Sequence, residues 1–211
     1  TGIVTADGSV GAPSLKGTDA DSGVSFAADS IKFSTGGTER FSISNSGLSG
    51  DGSGLSGITS GLAEADQWRV HTTFSSNADP ITTNWERNDN SFDKVGTGMS
   101  ESSGIFTFPS TGIWKIDYQA GFSSTGNTHY GGAYVKATTD NSSYSRIGYT
   151  YTSIDDGSGT WYGGASGTVM FDVTNVSTHK VCLEIGMDAA NCLGSSTEHV
   201  TGLTFMKLGD T

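Results

Sequence analysis

The chain has 211 residues and a formal net charge of −11, from 22 acidic against 11 basic residues. With no cluster of Lys or Arg, that balance excludes nucleic acid as a partner and argues against attachment through anionic lipid; the acidity reads mainly as solubility. Hydrophobic residues make up only 34% while 31 residues are glycine, about twice the usual share, so tight turns or closely packed backbones are expected.

With 3 prolines and no Gly-X-Y period, a collagen helix is excluded. No stretch reaches the roughly 20 apolar residues of a membrane helix, so no membrane insertion is expected, and no signal-like segment opens the chain. The first residue, Thr1, fits a fragment of a longer polypeptide.

From the N-terminus, residues 1–46 alternate weakly. Val24 and Phe26, Ile31 and Phe33, and Phe41 and Ile43 form apolar pairs, separated by turns at Ala27–Ser30 and Ser34–Thr38. Each strand offers about two apolar side chains and no second sheet follows to cover them, so such a β-stalk folds only if copies from other chains supply the missing core. Residues 47–66 form a Gly/Ser-rich connector, where Gly47–Ile58 (GLSGDGSGLSGI) repeats a Gly-Ser-Gly-Leu theme. This segment reads either as a flexible linker or as a stalk element with leucines on a shared axis. Ser60–Asp66 (SGLAEAD) is the one helix-like stretch, with Ser60 as its cap.

Residues 67–211 are richer. Strands are expected near 67–75, 81–87, 104–108, 112–123, 129–138, 144–153, 160–173, 179–188 and 198–208. Their spacing and turn signals are those of a β-sandwich. Alternating apolar positions are read at Ile113, Tyr118, Ala120 and Phe122, and at Val169, Phe171 and Val173. The chain as a whole is all-β.

Chemical motifs are sparse. His71, His129, His179 and His199 are widely separated, and none sits in a metal-binding pattern. Three symmetry copies of one histidine on an axis are the remaining metal reading, and no cofactor is expected. Glu101, Asp155 and Asp156 are the carboxylates a glycan depolymerase would draw on, but short acidic loop residues are mostly turn formers. The same holds for DADSG (Asp19–Gly23) and DDGSG (Asp155–Gly159), neither of which completes a Ca²⁺ loop. An enzyme is not expected. Cys182 and Cys192 read as a redox pair, a disulfide, or two separate thiols with one in a strand core. The last is favoured, because nothing else marks an oxidising compartment. Asn141 and Asn175 open Asn-x-Ser sequons, which matter only in a secreted eukaryotic protein.

Two stretches carry a resemblance. The run Pro13–Gly50, with DADSGVSF and DSIKFSTGGTERFSI, followed by GDGSGLSGI, resembles repeats of bacteriophage tail and collar fibres, especially of marine phages. ADQWRV, then NWERNDNSFDKVGTGMSESSGIFTFPSTGIWKIDY, then HVTGLTFMKL resemble a C1q/TNF-like jelly-roll head. Gly104–Trp114 is its most specific part, similar to a strand–turn–strand hairpin with Phe106 and Phe108 before the turn and Trp114 after it. The resemblance implies a homotrimer with a β-stalk and a jelly-roll head, located in the virion and made in the host bacterial cytoplasm. Other virion proteins would be met through a missing N-terminal region. The function implied is attachment to a bacterial surface glycan or protein; the alternatives are a purely structural virion fibre and a secreted C1q-like binding module.

Antiparallel strands send successive loops to opposite ends. Pro109–Gly112, Asp140–Tyr144 and Asn175–Thr178 are expected at the stalk end. Asn77–Ser103, Ser123–Thr128, Ile154–Thr160 and Ala189–Glu198 are expected to face outward. The candidate receptor-binding residues are therefore Asn127, Thr128, Asp155, Asp156, Ser158, Trp161, Asn191, Ser195 and Ser196. Trp161, Tyr162 and Tyr130 read either as platforms for sugar rings or as ordinary strand aromatics in a core or interface.

Overall fold

Alternation with period two is realised as strands throughout: in the computed structural model every regular element among the described residues is a β-strand. The structure describes residues 8–50, 61–126, 130–154 and 158–211. The chain divides into two compact units, Thr1–Ile58 and Thr59–Thr211.

In the first unit, β1 (Leu15–Lys16), β2 (Gly23–Ala27), β3 (Ser30–Thr35), β4 (Thr38–Ser44) and β5 (Gly47–Gly50) form an antiparallel sheet in chain order. Gly36 and Gly37 both take positive φ (57° and 67°) between the paired Thr35 and Thr38. That is the backbone of a two-residue type I′ hairpin, open to glycine without strain. Residues directly opposite one another share a face, so the register builds two apolar ladders. One runs Phe26–Ile31–Ile43–Leu48 and the other Leu15–Val24–Phe33–Phe41. The rings of Phe33 and Phe41 lie 5.0 Å apart. Yet Leu15, Ile31, Phe33, Ile43 and Leu48 remain 36–66% exposed. The apolar face is formed but uncovered. Within the segment read as linker or stalk, Gly47–Gly50 is strand β5; residues 51–58 lie outside the described residues.

The second unit contains β6 (Ala65–Val70), β7 (Trp85–Arg87), β8 (Lys94–Val95), β9 (Ser100–Ser102), β10 (Ile105–Thr107), β11 (Gly112–Ser124), β12 (Tyr130–Thr138), β13 (Ser145–Ser153), β14 (Trp161–Val173), β15 (Lys180–Met187), β16 (Asn191–Cys192) and β17 (Gly202–Gly209). One sheet runs β13-β12-β15-β10-β9. The other runs β14-β11-β17-β6-β7, with β16 added beside β11 and β8 beside β6. The two sheets enclose one core. Phe106 and Phe108 come from one side and Trp114, Ile116, Phe122, Leu203 and Phe205 from the other; Trp68 and Trp85 seal its edge. Phe106 packs against Trp85 at 4.9 Å and Phe205 at 5.4 Å, and Phe108 against Trp114 at 5.1 Å. This is an all-β jelly-roll sandwich.

Four local expectations change. Ser60–Asp66 is not a helix: among its described residues, Ala65 and Asp66 already belong to β6, paired with Val95 and Lys94 on one side and with Met206 and Phe205 on the other. Pairing on both edges outweighs the local helix propensity of a short Ala/Glu segment. Gly104–Trp114 is not a hairpin, because β10 and β11 lie in different sheets. Its turn carries the chain across the sandwich, held by Trp114 Nε1 donating to the Ser110 carbonyl at 3.2 Å. Ile113 points outward while Trp114 and Ile116 point in. Finally, Asn77–Ser103 is not one outward loop. Ala78 and Ile81 bond to Ile185 and Leu183 of β15, and β7 and β8 then pair back along β6.

Candidate binding surfaces of the head

Strand register sorts the remaining loops onto two ends. Gly112 pairs with Val173, and the Asn141 N–H donates to the Thr178 carbonyl at 3.0 Å, so three connections gather where β6 begins. At the opposite end, Ser124 pairs with Trp161, Ser123 with both Tyr162 and Asn191, and Tyr130 with Ser153. The Ser195 N–H donates to the Val70 carbonyl at 2.9 Å, which fixes that loop at the same end.

Of the nine candidate residues, Asn127, Thr128, Asp155 and Asp156 lie outside the described residues. Trp161 and Asn191 stand on the two strands flanking β11, about 10 Å apart at the usual strand spacing. Ser158 precedes Trp161 in the loop leading into β14. Ser195 and Ser196 serve an internal role. Ser195 Oγ accepts from the backbone of Thr197 and Glu198, and the Ser196 carbonyl accepts from Arg69. Arg69 is fully buried; it also donates to Glu86 (3.0 Å), Asn88 (3.0 Å) and Asp89 (2.6 Å). This network clamps the 86–90 and 195–198 segments onto the outer face of β6.

A second surface lies on the outer face of β13-β12-β15. Register places Tyr149 opposite Tyr134 and Tyr151 opposite Gly132, with Tyr130 one step further along. A bulge at Ile147 then brings Arg146 opposite Lys136. The four tyrosine rings form a continuous cluster. Tyr134–Tyr151 and Tyr149–Tyr151 lie 5.5 Å apart, Tyr130–Tyr151 5.9 Å and Tyr134–Tyr149 6.4 Å. Tyr134 is buried at its centre, while Tyr149 and Tyr151 are 62% and 53% exposed.

Two glycines make room for this arrangement. A Cβ at position 132 would come within 2.8 Å of the Tyr151 ring, and one at 186 within 3.1 Å of the Tyr134 ring. The Arg146 guanidinium covers the other face of Tyr134 at 3.9 Å, a cation–π contact, and is ion-paired with Glu184. Lys136 sits 3.9 Å from Glu184 and pairs with Asp79 at 2.7 Å. Burial, and next the Tyr151 hydroxyl, push the Tyr134 phenol above its usual range. The Asp79 carboxylate beside Lys136 raises its ammonium, and Glu184 raises the Arg146 guanidinium. A depression of about 320 Å³ opens beside this cluster, between Asn77–Asp79 and the side chains of Tyr130, Tyr134, Arg146 and Glu184; Tyr149 and Tyr151 stand outside its lining. Of this surface the sequence flagged only Tyr130 as an aromatic platform. The Tyr-Thr-Tyr alternation at 149–151 was the available sign.

Among the described residues, no group of three or more His, Cys, Asp or Glu is placed to hold a metal ion. Cys182 and Cys192 are both free thiols and both buried, and burial pushes each up to about 12. Asp19 accepts from the Asp21 backbone N–H at 3.4 Å in an exposed turn.

No family model matches the chain, and no curated protein matches it. Solved structures do. Murine APRIL at pH 8.5 is 18% identical with a TM-score of 0.51, over 69% of this chain and 98% of that one. Murine APRIL at pH 5.0 gives 17% and 0.51, over 69% and 99%. Eiger TNF from S. frugiperda is 11% identical with a TM-score of 0.49, over 72% and 96%. The head has a TNF-like jelly-roll fold. At these identities the likeness is one of fold.

Proposed function

We propose that the chain is the distal part of a homotrimeric, bacteriophage-type virion fibre whose head attaches to a glycan or protein of the bacterial surface. One observation carries this reading: the first unit presents two complete apolar ladders, including Phe33, Ile43 and Leu48, with no second sheet over them among the described residues of that unit. An uncovered face of this kind is an assembly surface. Identical chains supply identical ladders, so closed association buries all of them at once. A TNF-like head supports the same stoichiometry, and three heads in one particle turn weak contacts into lasting attachment.

A purely structural fibre is the second reading. It is favoured by the way the Ser195 hydroxyl is spent on the backbone of Thr197 and Glu198 rather than offered to a partner.

Sedimentation equilibrium of the whole chain tests the assembly. A mass three times the 21.8 kDa of one chain supports it, and a stable monomer overturns it. Adherence of the labelled trimer to bacterial cells separates the attachment reading from the structural one.

A further inference from the structure

We propose that the outer face of β13-β12-β15 is a binding site for a neutral pyranose of a surface glycan. The exposed rings of Tyr149 and Tyr151 take its C–H face, and the Arg146–Glu184 pair takes its hydroxyl groups. This rests on the attachment reading and names the ligand class for it.

The site is built in advance. Four tyrosines hold one another at 5.5–6.4 Å, and Gly132 and Gly186 let the central rings lie against the sheet. Arg146 is fixed over Tyr134. A ligand therefore meets rings that are already ordered, which lowers the entropic cost of binding. The electron-rich ring faces suit the weakly positive C–H groups of a sugar. Adjacent guanidinium and carboxylate groups offer donors and acceptors side by side for neighbouring hydroxyls. The depression of about 320 Å³ lies on the other side of Tyr134 and Arg146 from Tyr149 and Tyr151, with Glu184 in its lining; it lies at the small end of ligand-sized sites and has room for one neighbouring ring of the same chain.

Charge selects a neutral ligand. Arg146 and Lys136 are already matched by Glu184 and Asp79. An anionic sugar would have to displace Glu184 from Arg146, leaving that carboxylate with only Lys136, 3.9 Å away and already paired with Asp79. It would also approach a chain of net charge −11. A flat second copy of the chain is less suited, because the tyrosine rings are bordered by the Arg146–Glu184 and Lys136–Asp79 ion pairs, which an apolar interface would have to desolvate.

The test is affinity electrophoresis of the full chain through gels containing dextran, a neutral mannan, a neutral galactan or the anionic alginate. The expected result is retardation by at least one neutral polymer and none by alginate. Tyr149→Ala/Tyr151→Ala should weaken that binding about tenfold or more, with sedimentation mass unchanged. Met170→Ala, which removes an exposed side chain from the other sheet, should leave it within about twofold. The proposal is overturned if no neutral polymer retards the chain or if alginate alone does. Undiminished binding of the double variant, or a change in its mass, overturns it as well, the latter marking an interface between copies. If wild type and double variant adhere equally to cells, this site fails while the attachment reading stands. A trimer that adheres to no cell removes the attachment reading itself.

Discussion

Arg87 is paired in register with Trp68, yet its guanidinium reaches back along β6 to Asp66, placing Nε 3.0 Å from Oδ1 while its ζ-carbon lies 4.5 Å over the Trp68 ring. The Asp66 carboxylate is fully buried and accepts also from the backbone N–H groups of Gln67 (2.9 Å) and Met99 (2.7 Å) and from Trp68 Nε1 (2.9 Å). Arg87→Ala leaves that anion without its countercharge, and we expect a loss of about 3 kcal/mol, softened by the three remaining donors. Asp66→Asn keeps an acceptor in place and should cost less. Chemical denaturation of the two variants measures both, and a larger loss for Asp66→Asn would reverse the assignment.

Tyr118 sets the spacing of the two strands at the open edge of the sandwich. Its hydroxyl lies so close that a Cβ at Gly167 would meet Oη at 2.5 Å, and one at Gly148 would meet it at 3.1 Å. Gly167→Ala should therefore cost about 1–3 kcal/mol through overpacking. The same Cβ would meet the ring carbon Cζ at 2.6 Å, so Tyr118→Phe alone should recover little, whereas Tyr118→Leu removes the ring and should make the two losses less than additive. Additive losses in a double-mutant cycle would exclude this contact as the cause.

His199 makes stability depend on pH. Burial, and then the charge of Arg69, hold its imidazole below the ordinary 6.5, against the opposing carbonyls of Trp68 and Leu203. The unfolded chain takes up a proton near 6.5 and the folded chain does so only at lower pH. The contribution is therefore fully present above 6.5 and is lost as the pH falls below it. Urea midpoints should drop between about pH 7.5 and about pH 5, and His199→Gln should flatten that part of the profile. An identical slope in the variant would assign the acid sensitivity elsewhere.

The strands were legible because period two persists along them: β11, β12, β14 and β15 lie within a few residues of expectation. Parity was not legible at Gly112–Phe122, where Ile113 and Trp114 are adjacent and both apolar, so alternation alone does not say which one enters the core. Partners distant in sequence were invisible for a different reason. Asp66 and Arg87 are 21 positions apart, and no local pattern marks either. The tyrosine face needed three facts together: the β12–β13 register, the bulge at Ile147 that rotates Arg146 onto it, and glycines at 132 and 186. Only long-range pairing supplies the first two. Composition marked Ser195 and Ser196 as polar loop residues, but it did not show that Ser195 Oγ holds the backbone of Thr197 and Glu198 or that the Ser196 carbonyl accepts from Arg69.

Both thiols should be inert in the native protein. Burial pushes Cys182 and Cys192 up to about 12, so almost none of either is thiolate at neutral pH, and a disulfide reagent lacks both nucleophile and access. Titration with a chromogenic disulfide should release no colour from the folded chain and two equivalents after unfolding. Rapid reaction of either cysteine in the folded state would show that its strand opens locally.

The apolar ladders of the first unit give a test that reads the environment of a side chain rather than its identity. Ile43 is 43% exposed in the single chain, opposite Ile31 and Leu48. If it faces water, Ile43→Ser removes little buried surface, and stability should change by no more than about 0.5 kcal/mol. If other chains cover it, the same substitution empties a packed core position and should cost about 2–4 kcal/mol per chain. Only in the second case does association contribute to stability, so the wild-type melting temperature should rise with protein concentration. Phe33→Ser, on the other ladder and in ring contact with Phe41, should behave in the same way. A concentration-independent melt, together with a neutral Ile43→Ser, would mean that the face stays open to solvent, and the stalk would lose its physical basis.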